Sequence, residues 1–122
     1  MRHMKKTLII GATNNPGRYA SLAAHRLTAH GHDIVNVGIK KGEVSGVPIE
    51  RAGEIHPDVD TITLYVGPKH QPEYFDYILQ TKPKRIIFNP GTENRELEQL
   101  AEENGIEAMH ACTLVLLSTG QY

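Results

Sequence analysis

The chain has 122 residues, enough to enclose one hydrophobic core and too few for two, so two-domain organisations are excluded. Hydrophobic residues make up 39% and charged residues 22%, the balance of a folded domain rather than a disordered or fibrous chain. Lys and Arg number 13 against 14 Asp and Glu, and a formal charge of −1 leaves no global positive field to hold a nucleic-acid backbone.

The longest aliphatic runs, such as Leu114-Val115-Leu116-Leu117, are far short of the roughly 20 residues that cross a bilayer, so no membrane association is expected. The start Met1-Arg2-His3-Met4-Lys5-Lys6 is basic, but Gly11 interrupts the next apolar run too soon for a signal peptide. Cys112 is the only cysteine and cannot form an internal bridge, which points to a reducing, cytoplasmic setting.

Thr7-Leu8-Ile9-Ile10-Gly11 reads as a buried strand, and Asn14-Asn15-Pro16-Gly17 as the loop that leaves it. Tyr19, Leu22, Ala23, Arg26, Leu27 and His30 then recur at helical spacing until Gly31. Asp33-Ile34-Val35-Asn36-Val37-Gly38 is a second strand, followed by a loop from Lys40 past Pro48 to Pro57 with a helical turn over 50–54. Thr61-Ile62-Thr63-Leu64-Tyr65-Val66, ended by Gly67-Pro68, is the third strand. Pro72 suits the first position of a helix that buries Phe75, Ile78 and Leu79. Lys84-Arg85-Ile86-Ile87-Phe88 is the fourth strand. Thr92 or Asn94 caps a helix with Leu97, Leu100 and Ala101 inward and Gly105 as its stop. Ile106-Glu107-Ala108-Met109-His110 is the fifth strand, and Thr113 to Leu117 suits a short strand or a helical turn equally.

Strands alternating with helices predict an α/β three-layer sandwich, Rossmann-like, with a five-stranded, mostly parallel sheet in the order 3-2-1-4-5. Ligands of such sheets sit outside the C-terminal strand ends, so the loops after Gly11, Gly38, Val66 and Phe88 should converge on one crevice.

The first loop, from Gly11 through Thr13 and Arg18 to Tyr19, offers backbone N–H groups, a hydroxyl and a guanidinium at the positive end of a helix dipole. Taken alone it serves a tight strand-to-helix turn as well as an anion. It lacks the middle Gly of a dinucleotide fingerprint, and strand two ends in Asn36-Val37-Gly38 with no carboxylate. Pro16 and the absence of a following Lys also separate it from a nucleotide-hydrolysing P-loop. Lys40, Lys41 and Lys69 join Arg18 around the predicted crevice, either as solvated loop charges or as a field suited to several phosphates.

The segments from Ile9 to Tyr19, Gly31-His32-Asp33-Ile34-Val35-Asn36-Val37, Val44-Ser45-Gly46-Val47-Pro48, Asp58-Val59-Asp60-Thr61-Ile62, Asn89-Pro90-Gly91-Thr92-Glu93-Asn94, Glu103-Asn104-Gly105-Ile106 and Cys112 together resemble the small CoA-binding protein family. The fold of that family is similar to the CoA-binding domain of the succinyl-CoA synthetase alpha subunit. The resemblance covers nearly the whole chain. It implies CoA or an acyl-CoA as ligand, with the pyrophosphate at Thr13, Asn14, Pro16 and Arg18 on the loop running from Gly11 to Tyr19. It further implies adenosine near Val37, Gly38 and Lys40, and a pantetheine arm passing Tyr65, Val66, Gly67 and Pro68 toward Asn89 and Gly91. Val37, Asn89-Pro90 and Ala111 depart from the residues usual in the family at those places.

No nucleophile or titrating pair falls in the expected crevice, so no catalytic residue is assigned. His110 and Cys112 share a face at the end of strand five, away from the strand-order reversal. His25, His30 and His32 have spacings that do not share a helical face, so no metal site is expected. The sequence therefore points to a non-catalytic CoA-binding module, either a homodimer or a partner of an acyl-transfer enzyme. The alternative is a small nucleotide-dependent oxidoreductase or acyl-CoA ligase fragment.

Overall fold

A computed structural model describes residues 4–122; the basic residues Met1-Arg2-His3 lie outside the described part. Seven strands, not five, make one sheet. They are β1 (Thr7–Ile10), β2 (Ile34–Val37), β3 (Glu43–Val44), β4 (Val47–Glu50), β5 (Thr61–Leu64), β6 (Arg85–Phe88) and β7 (Glu107–His110). Their spatial order is β3-β4-β2-β1-β5-β6-β7, with every neighbouring pair parallel except β3 with β4. The helices are α1 (Tyr19–Ala29), α2 (Phe75–Thr81), α3 (Arg95–Glu103) and α4 (Thr113–Ser118). No helix among the described residues is long and apolar enough to cross a membrane.

The expected order 3-2-1-4-5 is thus corrected. The five foreseen strands lie in the order 2-1-3-4-5, because the stretch expected to be a loop folds into the β3–β4 hairpin and occupies the outer edge of β2. The chain must then pass to the other side of β1, where β5 pairs in register Thr7 to Thr61. Ser45 and Gly46 both have positive φ, 54° and 78°, as a two-residue hairpin turn requires. Buried Asn36 secures the hairpin, its Nδ2 donating to the carbonyls of Val44 at 3.2 Å and Val47 at 3.1 Å. The helical turn expected over 50–54 is absent; β4 runs to Glu50 and turns follow.

Strand alternation sorts the core into two halves. Leu8, Ile10, Val35, Val37, Ile62, Leu64, Ile86 and Phe88 face α2 and α3, meeting Tyr77, Ile78, Leu97 and Ala101. Ile9 and Ile34 face the other way, toward Ala20, Ala24 and Leu27 of α1 and Leu117 of α4. Helix α1 is rotated from the expected face: Tyr19 is 73% exposed and Leu22 37%, while the small Ala20, Ala23 and Ala24 let the helix lie close to the sheet. Asn94 supplies the cap foreseen for α3, its side chain accepting from Leu97 N at 3.2 Å. Before α2, Pro68 and Pro72 each open a single turn of 3-10 helix, so the regular helix starts three residues later than Pro72 suggested. The ambiguous segment at Thr113 is helical.

Tyr77 is buried on α2 and its hydroxyl has no hydrogen-bond partner among the described residues. Burial, with Glu50 and Glu54 nearby, pushes its phenol from the ordinary 10.0 up to about 12. Burial likewise raises Tyr65, Tyr74 and Tyr122. A phenol that ionises more readily unfolded than folded contributes stability that is complete below pH 10 and lost as the pH climbs toward 12. Thermal melts should therefore show a steep alkaline loss that begins near pH 10. Tyr77→Phe should unfold no more readily than wild type at neutral pH and should move that loss to higher pH.

Candidate functional site

The order of β1 and its neighbours reverses direction between β1 and β5, and a cleft of about 830 Å³ opens above their C-terminal ends. Gly11 makes the close approach there possible. Its φ is +95°, and a Cβ would stand 2.8 Å from the Tyr65 carbonyl oxygen. Gly38 performs the same service between β2 and the first loop, since its Cβ would fall 2.3 Å from the Ala12 carbonyl oxygen.

The loop after β1 lines the cleft with Gly11, Ala12, Thr13, Asn14, Asn15, Gly17 and Arg18, continuing into Tyr19 and Ala20 of α1. The amides of Gly11 and Ala12 both donate to the Val37 carbonyl at 2.9 Å. Asn15 shapes the turn, its Oδ1 accepting from Gly17 N at 2.9 Å and its carbonyl from Arg18 N at 3.1 Å. Thr13 Oγ1 accepts from Asn15 N at 3.2 Å, which leaves the hydroxyl proton available to a ligand. The first intrahelical bond of α1 runs from Leu22 N to Arg18 O, so the amides of Tyr19, Ala20 and Ser21 precede it. No side chain caps them and no acidic residue stands in the first turn. An anion is the partner such an end favours.

Ile39 and Lys40 line the side reached from β2. Opposite them stand Tyr65, Val66 and Gly67, then His70, Glu73 and Tyr74 from the 3-10 turns, and Pro90, Gly91 and Thr92 after β6. Gln71 holds this wall together. Fully buried, it donates from Nε2 to the carbonyls of Val66 at 2.9 Å and Thr92 at 2.6 Å.

Of the residues singled out from the sequence, Gly11, Thr13, Asn14, Arg18, Tyr19, Lys40, Tyr65, Val66, Gly67 and Gly91 come together in this cleft. Pro16 and Pro68 are exposed beside it, and Val37 and Gly38 are buried beneath it. Asn89 is also below the floor. Its Nδ2 donates to Thr63 Oγ1 and the Leu64 carbonyl, both at 2.7 Å, and its Oδ1 accepts from Thr113 N at 2.9 Å. Lys41 and Lys69 are exposed outside the lining, so of the four predicted cations Arg18 and Lys40 reach it. Ile39, His70, Glu73 and the bracing Gln71 escaped sequence reasoning, because all of them lie in polar stretches without period.

His110 is outside the cleft, with Nε2 against Glu98 Oε2 and its ring 5.5 Å from that of Phe88. Cys112, a free thiol, is the residue just before α4 and lies near Tyr65, whose enclosed phenol is raised first by burial. No group of three or more His, Cys, Asp or Glu side chains placed to hold a metal occurs among the described residues. A smaller hollow of about 580 Å³ opens beside the start of β2, lined by Lys6, Asp33 and His56, away from the convergent loops.

The fold recurs in solved structures. An uncharacterized protein is 55% identical over 99% of this chain and 100% of its own, with a TM-score of 0.96. A hypothetical protein from Pyrococcus horikoshii OT3 is 28% identical over 95% of this chain and 83% of its own, with a TM-score of 0.87. A conserved hypothetical protein from Pyrococcus furiosus is 27% identical over 92% of this chain and 98% of its own, with a TM-score of 0.80. No curated protein matches. Residues 5–118 match the family described as a CoA binding domain, and with nearly its whole length inside that match the chain belongs to this family.

Proposed function

We propose that the protein binds CoA or an acyl-CoA in the cleft above β1 and β5 without transforming it. The observation that carries this reading is the division of charge within the cleft. Its permanent cations, Arg18 and Lys40, belong to one arm, beside the uncapped start of α1, while the other arm carries none. CoA has the same division, with phosphates at one end and a neutral pantetheine and thiol at the other. The pyrophosphate would meet the amides of the first turn, Thr13 and Arg18, and the adenosine would lie along Ile39 and Lys40. Pantetheine would follow Tyr65, Val66 and Gly67 toward Gly91.

His110 and Cys112, the candidates for a chemical role, stand outside that path. A protein that carries a thioester without cleaving it suits a partner that does the acyl transfer. The lone thiol of Cys112 suits the cytoplasm. Isothermal titration calorimetry with CoA, acetyl-CoA, NAD and ATP tests the reading. Saturable binding of CoA and acetyl-CoA in preference to NAD and ATP is the expected result, and no heat from either CoA species at millimolar concentration overturns it.

A further inference from the structure

Resting on that reading, we propose that Glu73 makes the cleft select against thioesters whose acyl group ends in a carboxylate, so that its ligand is CoA or an acyl-CoA with an uncharged acyl end. The phosphate-binding arm fixes direction: with the phosphates beside Arg18 and Lys40, the thiol end of the ligand is delivered to the arm formed by His70, Glu73, Tyr74 and Gly91. Glu73 is exposed at the middle of the single turn Pro72–Tyr74 and lines the cleft. Its carboxylate forms no ion pair among the described residues. Its field reaches the buried Tyr74 phenol, which is raised first by burial, then by this charge and a hydrogen bond to it, against a smaller lowering by Arg51 outside the lining.

A terminal carboxylate arriving there would need a cation or an unclaimed amide. Neither is present. Gly91 lines this arm, and its amide already donates to Glu93 Oε1 at 3.0 Å, so that donor is engaged by a carboxylate of the chain itself. A carboxylated acyl group therefore meets the Glu73 charge with no Lys, Arg or unclaimed Gly91 amide in this arm's lining to offset it, whereas a methyl-ended group of equal length sets no charge against it.

Butyryl-CoA and succinyl-CoA are close in size and differ in that terminal charge, which makes them the probes. Calorimetry at low ionic strength should find butyryl-CoA bound about fivefold more tightly. Glu73→Gln should reduce this ratio to roughly twofold, and 0.5 M salt should do the same to wild type. Equal affinities in wild type, or a ratio that Glu73→Gln leaves untouched, overturns the inference while the CoA reading stands. Absence of binding by CoA and both thioesters removes the CoA reading, and the inference with it.

Discussion

Replacing Gly38 by Ala should destabilise the protein by about 3 kcal/mol, the upper end of what an added methyl costs where nothing can yield. The new Cβ would lie 2.3 Å from the Ala12 carbonyl oxygen and 3.1 Å from Ile49 Cγ2. The first of these contacts cannot be relieved by turning a side chain, because it is with backbone. That backbone is held in turn, since Ala12 N donates to Val37 O and Gly38 N to Glu50 O, both at 2.9 Å. Relief requires the first loop to move off β2 or β4 to move outward, and each course gives up sheet hydrogen bonds. Urea unfolding should show a lower midpoint at unchanged slope, and the melting temperature should fall by roughly 12 °C. A loss under 1 kcal/mol would mean that the loop bearing Thr13 and Arg18 is free to shift, contrary to the tight β1–β2 junction. Because the displaced segment is the one proposed to hold pyrophosphate, CoA affinity should fall with stability, a coupling that a remote core defect would not produce.

The strands of the central sheet were legible because a parallel strand buried on both faces leaves an unmistakable run of branched residues. Leu8-Ile9-Ile10, Ile62 to Val66 and Ile86-Ile87-Phe88 carry that mark, and all are central. The β3–β4 hairpin carries little of it. Its strands are short, Glu43 and Pro48 are exposed, and the apolar surface it buries is small. Its one local signal is Ser45-Gly46 between two valines, a pair suited to successive left-handed residues. The decisive interaction is not local at all: the Asn36 amide, eight and eleven residues away in sequence, ties down the carbonyls on both sides of the turn. Without the hairpin, the strand order could not be deduced, because the free edge of β2 looks as available to the third strand as that of β1.

The same distinction governs the cleft. The first loop announces itself by Gly11, Asn15, Pro16 and Gly17, whose backbone needs are written in their types. The opposite wall does not, because it depends on Gln71, a polar residue between short turns whose burial arises only when Val66 and Thr92 arrive from different strands. Asn89 shows the converse. Its place at a strand end suggests contact with ligand, yet its side chain is consumed by Thr63, Leu64 and Thr113 below the floor. Sequence position brings a residue to the rim, and the number of buried groups seeking partners decides whether it faces up or down.

The largest effect on affinity should come from removing both cations of the phosphate arm. Arg18 and Lys40 are exposed in the free protein and form no ion pair among the described residues, so neither charge is engaged in holding the fold. Arg18→Ala should weaken CoA binding about tenfold, the value of one charge-assisted contact at a partly wet site. Arg18→Lys should recover part of that loss, since it restores the charge but not the planar pair of donors. The double variant Arg18→Ala/Lys40→Ala should lose roughly fiftyfold, with little change in melting temperature because the two side chains are solvated. It should also lose most of the decline in affinity that wild type shows with added salt, which separates a lost phosphate contact from a distorted cleft. Unchanged CoA affinity in the double variant would mean that the phosphates lie elsewhere, and the amides at the start of α1 would then need another anion.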